Sequence, residues 1–516
     1  MPIFGNLIKR GLSLGDTIGS RKVDVSPQHF QLITLQRLLR KAQFTTFGKY
    51  YGFQDILRSP RVIEAYQDRV PIYTYDQMYN RWWHMSLRQL DNVSWPDRVK
   101  YFALSSGTSG APSKYLPVTD DLQKSMRRAG LKMFFAFSKF NVDPSLFTRS
   151  MMMLGGSSDL QNGSGFYAGD LSGINANKLP LWLRPFYKPG AEIAQLSDWD
   201  SRLDMIARKA KEWDIGFIVG IPSWLQLMLK RIIEHHGVDN IHEIWPNLQV
   251  CVHGGVAFEP YRKSMDQFLG KPLIYLDTYL ASEGFIAFQS RPDTLAMKLQ
   301  LHNGLFFEFV PYNDQNFDQE GNLLGQPKAL TIEDVSPGEH YALLLSSNAG
   351  AWRYMIGDTV QFSDPKRSEI IITGRTKHFL SVCGEHVSVD NMNQVVQYLE
   401  ERFDVNIPEF TVSAIQSGPH HAHRWYIGMD PALAADKIVS ELDRHLCAIN
   451  DDYRTERDHV LQQPEVIILP SAMFYDFQRH KGQLGGQYKF PRVMRGAAFA
   501  EWEQFVHSHR PVSQMH

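Results

Sequence analysis

The chain has 516 residues, with 54 Lys+Arg against 55 Asp+Glu and a formal net charge of -1. That length exceeds one ordinary core and predicts a large domain plus at least one smaller one, while 43% hydrophobic and 12% aromatic residues exclude wholesale disorder. The near-zero charge excludes a global field that would draw the protein onto nucleic acid or an anionic membrane, so an anionic ligand must be met by a local site.

At the N-terminus, Lys9 and Arg10 interrupt the apolar run of MPIFGNLIKRGLSLGDTIGSRKVD, which reads as a mature end rather than a secretory leader. No stretch approaches the roughly 20 apolar residues of a membrane-spanning helix, so a soluble protein is expected. Cys251, Cys383 and Cys447 are widely separated and lack CxxC spacing, which argues against a disulfide framework or structural zinc and fits a reducing cytoplasm. From about residue 100 to 290, short apolar runs alternate with amphipathic segments, the pattern of an α/β fold with helices over a mostly parallel sheet. Ser197 or Asp198 can cap a helix whose inward face carries Leu203, Ile206, Ala207 and Ala210, and the strand IGFIVGI (215 to 221) follows. Pro222 and Ser223 open a second helix that ends near Gly237, before a strand at LQVCVHGG (248 to 255). A helix from Pro260 to Leu269 leads to LIYLDTY (273 to 279), so loops at successive strand ends would converge on one crevice.

Between about 300 and 372, LFFEFVP, HYALLLS, TVQFS and EIIITG predict a more antiparallel β subdomain. FTVSAIQ, RWYIGMD, a helix around Ala432 to Leu446 and VIILP then predict a smaller α+β domain. The expected division is 1–374 and 375–516.

Chemistry concentrates in a few segments. In YFALSSGTSGAPSKYLPVT (101 to 119), the small residues Ser105, Ser106, Gly107, Thr108, Ser109 and Gly110 let backbone NH groups and hydroxyls approach phosphate oxygens, and Lys114 supplies a mobile charge. The spacing is neither GxxxxGK[ST] nor GxSxG. Taken alone, the segment reads first as a Ser/Gly surface loop, since such loops are common. Tyr279-Leu280-Ala281-Ser282-Glu283 puts a stacking ring, a hydroxyl and a hard oxygen ligand for Mg²⁺ at a strand end. Tyr354-Met355-Ile356-Gly357-Asp358 places an acid after glycine at another turn, suited to accepting from ribose hydroxyls. Gly374-Arg375 precedes Lys377, and Lys489 lies within QYKFPR (487 to 492). His420, His421 and His423 lack acidic or thiol partners at ligand spacing and are expected in a solvated loop.

Together, SSGTSG with its following Lys114, HGG (253 to 255), YLASEG, YMIGD, GRTKHFLSVCGEHVS and QYKFPR resemble, in the same order, the motifs of the acyl acid amido synthetases. That is the plant auxin- and jasmonate-conjugating family with its bacterial relatives, within the adenylate-forming enzymes that also include acyl-CoA ligases and luciferases. The resemblance spans about residues 100 to 495. It implies that Ser105, Ser106, Thr108 and Lys114 cradle the triphosphate of ATP, that Gly254, Gly255 and Val256 border the adenine with Tyr279 packed on it, and that Ser282 lies near the α-phosphate. Asp358 and Arg375 would hold the ribose, Glu283 would bind Mg²⁺, and Lys489 would reach in from a mobile C-terminal domain hinged near Lys377. Ile356 and the GRTKHF segment depart from the plant pattern and leave acyl and acceptor specificity open. The acyl pocket is expected from Met151 to Leu171, Phe217 to Trp224 and the Tyr279 region.

The implied partners are a small carboxylic acid and an amino acid, with no nucleic acid or membrane, in a monomer or weak homo-oligomer. The closest rival is an acyl-CoA or other thioester ligase, which would share every adenylation residue. A nucleotide-binding module without turnover is a third reading, against which the combination of Lys114, Glu283, Asp358 and Lys489 argues.

Overall fold

A computed structural model describes residues 26–105, 114–179, 181, 183–318, 321–376, 379–380, 385, 387–417, 420–430, 433–459, 461–483 and 489–509. In chain order the strands of the first half are β1 (Tyr101–Ser105), β2 (Lys114–Val118), β3 (Ser150–Leu154), β4 (Gln161–Asn162), β5 (Tyr167–Gly169), β6 (Tyr187–Lys188), β7 (Ile215–Gly220), β8 (Val250–Gly254) and β9 (Ile274–Ala281). There follow β10 (Gly284–Phe288), β11 (Met297–Leu299), β12 (Leu305–Pro311), β13 (His340–Ser347), β14 (Tyr354–Asp364) and β15 (Glu369–Arg375). The C-terminal part holds β16 (Phe379–Leu380), β17 (Val387–Ser388), β18 (Glu409–Ser417), β19 (His420–Gly428) and β20 (Glu465–Leu469).

Eleven strands form one sheet in the order β12-β13-β14-β15-β11-β10-β9-β8-β7-β3-β6. The half from β6 to β9 is parallel, and the half from β10 to β12 is antiparallel. The expected parallel and antiparallel regions are therefore present but not as separate sheets. The polarity switches at the hairpin between β9 and β10, whose two-residue turn is Ser282-Glu283. A second difference lies upstream: β1 and β2 form an antiparallel hairpin in a four-stranded sheet with β4 and β5 rather than joining the parallel half.

The helices over the parallel half follow their sequence signals. Asp198, rather than Ser197, caps Trp199–Lys209 by accepting from Ser201 N at 2.8 Å. Leu203, Ile206, Ala207 and Ala210 are buried beneath it as predicted. Pro222–His236 starts with proline, whose fixed φ suits a first helical turn, and stops at Gly237 with φ +62°. Its Trp224, Leu225, Leu229 and Ile232 pack with Ile206 and Ile218 in one core. On the antiparallel half, Trp352 packs among Phe47, Phe53 and Trp95 and closes the N-terminal helices onto the sheet.

In the C-terminal part, β18 and β19 are antiparallel and β20 joins parallel to β19. Two further cores lie here: one holds Val396, Trp425 and Leu442, the other Phe474, Phe477, Phe490 and Trp502. The histidine segment is a strand rather than a solvated loop: His423 is fully buried in β19, its Nε2 2.8 Å from Glu385 Oε1. Glu385 lies far back in the chain, so local composition could not reveal the pairing. No helix among the described residues is long and apolar enough to cross a membrane.

Candidate functional site

Because β7, β8 and β9 are parallel neighbours, their C-terminal ends open on one side of the sheet. β8 ends at Gly254, where a Cβ would lie 2.3 Å from the Thr278 carbonyl oxygen of β9, so the two backbones meet at a distance no side chain permits. Thr278 Oγ1 donates to His253 O at 2.8 Å and ties the two strand ends together. Gly255 follows with φ +86°, a left-handed turn that glycine adopts without strain, and Val256 next to it is half-buried.

Asp358 comes from the antiparallel half. Across β13 and β14, Ala342 pairs with Thr359 and Leu344 with Met355, so Ile356, Gly357 and Asp358 oppose the single residue Leu343. Gly357, at φ +92°, absorbs this irregularity. Such a bulge re-aims the side chains beside it. Asp358 thus sits within a long strand and not, as expected, at a turn. Its Oδ2 accepts from Tyr279 OH at 2.5 Å, and its Oδ1 lies 2.9 Å from Arg375 Nε. Arg375 is directly opposite Asp358 in the β14–β15 register.

Glu283 occupies the β9–β10 turn and is buried, with Ser282 half-buried beside it. Burial, seconded by the charge of Asp358, pushes its carboxyl up to about 6, against the pull of its own backbone amide, Lys114 and Arg375. The Tyr354 phenol is buried beside this carboxylate, and that burial together with the Glu283 charge pushes it well above its ordinary value. Lys114, at the start of β2, stands 5.2 Å over the Tyr75 ring, and the Tyr75 hydroxyl accepts from Tyr115 N at 2.8 Å. Lys489 reaches the same place from the C-terminal part, donating from Nζ to Gly255 O at 2.5 Å. Although the side chain as a whole is exposed, desolvation together with Arg375 brings the ammonium down to about 8, opposed by Asp358.

Of the residues singled out in the sequence, Lys114, Gly254, Gly255, Val256, Tyr279, Ser282, Glu283, Asp358, Arg375 and Lys489 lie on elements that meet at these strand ends. Ser105 ends β1 opposite Lys114, whereas Ser106, Thr108 and Lys377 lie outside the described residues. Sequence reasoning missed Tyr75, Thr278 and the electrostatic coupling of Tyr354 to Glu283. Tyr354 stood within a quoted motif, but Tyr75 carries no local signal. Among the described residues no three acidic, His or Cys side chains cluster as a metal cage. A lone buried carboxylate of the Glu283 kind suits Mg²⁺, which takes most of its ligands from phosphates and water.

The architecture is thus a large α/β unit with a crevice at its parallel strand ends, which a lysine from the smaller C-terminal part reaches. The chain superposes on the GH3.15 acyl acid amido synthetase with a TM-score of 0.75 over 96% of both chains at 16% identity. It also superposes on a 2-hydroxyisobutyryl-CoA ligase in its postadenylation state with a TM-score of 0.57, covering 93% of this chain and 91% of that one at 11% identity. Likeness at these identities concerns the fold alone. Models of the GH3 family N-terminal, central and C-terminal domains match residues 21–210, 299–369 and 390–498, and the chain belongs to the GH3 family. It is 24% identical over 320 residues to the indole-3-acetic acid-amido synthetase GH3.4 of Arabidopsis thaliana, which covers 57% of this chain and 50% of that protein. It is 25% identical over 278 residues to the jasmonoyl-L-amino acid synthetase JAR6 of Nicotiana attenuata, covering 49% and 46%. The chain thus spans about half the length of the curated relatives it matches.

Proposed function

We propose that this protein is an ATP-dependent acyl acid amido synthetase, which adenylates a carboxylic acid and transfers the acyl group to the amine of an amino acid. The observation that carries this is the convergence of the Tyr279–Asp358–Arg375 cluster, Glu283 and the Lys489 ammonium at the ends of β8 and β9. The names of the matched relatives, indole-3-acetic acid-amido synthetase and jasmonoyl-L-amino acid synthetase, point to the same reaction type.

A carboxylate is a poor electrophile because its charge repels nucleophiles and oxide is a poor leaving group. Attack of a carboxylate oxygen on the α-phosphorus of ATP breaks the bond to pyrophosphate and makes a mixed anhydride. A neutral amine then attacks its carbonyl, the C–O bond to AMP breaks, and the amine proton passes to solvent. Asp358 accepts the ribose hydroxyls, with Arg375 and Tyr279 fixing its orientation. Gly254, Gly255 and Val256 leave room for the adenine beside Tyr279, and Ser105, Ser106, Thr108 and Lys114 take the phosphates, with Ser282 near the α-phosphate. Lys489 stabilises the negative charge that builds up as two anions meet. Mg²⁺ held by Glu283 would neutralise phosphate charge when bound. The acyl group would lie beyond the ends of β3 and β7, where Met153, Leu154, Ser172 and Tyr187 line a small cleft.

The division into 1–374 and 375–516 is part of the proposal. It is supported by cores that run from Leu35 to Ile370 on one side and from Leu380 to Val506 on the other. The thiol of Cys251, buried and outside any disulfide, favours the cytoplasm.

The test is acid-dependent exchange of pyrophosphate into ATP over a panel of indole-3-acetate, jasmonate, 2,4-DB and other aryl, fatty and keto acids. It is followed by AMP release with amino acids or with CoA. Exchange is expected, with AMP release driven by an amino acid; strict dependence on CoA rejects the amide product, and no exchange with any acid rejects adenylation. The pH profile gives a second check. Lys489 acts as a cation, so kcat/KM for exchange should fall as pH rises through about 8. Lys489→Arg, which keeps its charge, should be slower but flat across that range. An unchanged alkaline limb in Lys489→Arg would assign the titration to another group.

A further inference from the structure

Lys489 is followed directly by two anchors on its own short segment. Phe490 is buried against Phe474, Phe477 and Trp502. Two residues further on, the Arg492 guanidinium bridges back to the start of β18: Nη1 donates to Glu409 Oε2 at 2.7 Å and to Phe410 O at 3.2 Å, and Nη2 to Pro408 O at 3.3 Å. Backbone bonds from Val412 N to Arg492 O and from Met494 N to Val412 O complete the attachment. The lysine backbone is therefore rigidly part of the C-terminal unit.

One side chain from the other unit enters this ion pair. Tyr261, in the helix Glu259–Asp266, donates from its hydroxyl to Glu409 Oε1 at 2.9 Å and accepts from Arg492 Nη2 at 2.9 Å. Tyr261 is 2% exposed and Glu409 3%. The helix is fastened to the large unit by Gln226, whose Nε2 donates to Tyr261 O at 3.1 Å and to Ser264 Oγ. A neighbouring contact between the same two units, Lys263 Nζ to Asp404 Oδ1 at 2.5 Å, involves a carboxylate that is 95% exposed, so solvent screening leaves it little weight. The phenol is different. It is a neutral group that bridges the second oxygen and the second nitrogen of a directly bonded buried pair, and without it one oxygen and one N–H of that pair lose a partner.

We propose that Tyr261 is a positioning residue: its hydroxyl, through Glu409 and Arg492, latches the C-terminal unit in the orientation that brings Lys489 to Gly255. The proposal rests on the adenylation reading above and deepens it. The latch acts on the first half-reaction alone, because only that step uses the lysine. It is reversible because the C-terminal unit keeps its own Glu409–Arg492 pair when the phenol leaves.

The variant is Tyr261→Phe in the full chain, which keeps the ring and its packing. One arm measures pyrophosphate exchange with the best acid of the panel and, separately, amide formation from the chemically prepared acyl-adenylate of that acid with an amino acid. Exchange should fall by roughly tenfold or more, the factor of about one charge-assisted hydrogen bond, with amide formation unchanged or faster. Lys263→Ala should leave both steps near wild type. The other arm places nitroxide labels at the exposed Lys230→Cys and Lys437→Cys, with Cys383 and Cys447 replaced by serine, and measures their separation by pulsed EPR with ATP. In Tyr261→Phe the dominant distance should lose weight to a broader distribution. Coincident distributions, or equal loss of both half-reactions, would overturn the latch. A shifted distribution in a protein that exchanges with no acid would instead reject adenylation and leave the latch standing.

Discussion

Lys489→Ala is expected to lower acid-dependent pyrophosphate exchange by roughly a hundredfold or more while leaving ATP binding nearly intact. The ammonium donates to the Gly255 carbonyl at the end of β8 and feels Arg375 and Asp358. Desolvation and the charge of Arg375 bring it down to about 8, so its charged form is disfavoured there. A cation kept under that penalty is best used where negative charge is still developing, as in carboxylate attack on phosphorus, rather than for ground-state affinity. The prediction is therefore a loss in kcat with little change in the ATP dissociation constant measured by calorimetry. Parallel loss of both would make Lys489 a binding residue only.

The second large effect concerns stability. Glu308, in the middle of β12, and Arg353, just before β14, form a buried pair with Nε to Oε1 and Oε2 distances of 3.0 and 3.2 Å and side-chain exposures of 1% and 5%. Arg353 Nη1 also donates to Gln67 O and Val70 O at 2.8 and 2.7 Å, and Gln67 Nε2 donates to Glu308 Oε1 at 2.9 Å. The pair thereby fastens the N-terminal helices to the strand that carries Tyr354 and Asp358. Glu308→Ala leaves the guanidinium buried without its counter-ion and should cost about 3–5 kcal/mol. Thermal unfolding should show this as a fall in Tm of several degrees. The double variant Glu308→Ala/Arg353→Met should recover much of the loss, since replacing both charges removes the uncompensated one. No recovery would mean that the carbonyl contacts of Arg353, rather than its charge balance, hold the segment.

The alternation of apolar runs and amphipathic helices was enough to place β7, β8, β9 and the helices between them, because each element buries a face whose period is written in its own residues. The crevice at their ends followed from that order alone. Glycine signals worked for a related reason: Gly254 and Gly255 stand where backbone approach and a left-handed turn admit no side chain. The histidines of β19 misled because local composition cannot show that Glu385, 38 residues earlier, closes on His423.

The residue types of the proposed adenylation site, and their order along the chain, were legible without coordinates, since motif chemistry is local. Tertiary structure alone decided that the parallel and antiparallel halves share one sheet, that an irregularity opposite Leu343 aims Asp358 at Tyr279 and Arg375, and that Tyr261 meets Glu409 and Arg492. Those contacts join segments from 17 to 231 residues apart. Their energies come from burial and charge pairing across that separation, and no local residue pattern links the partners.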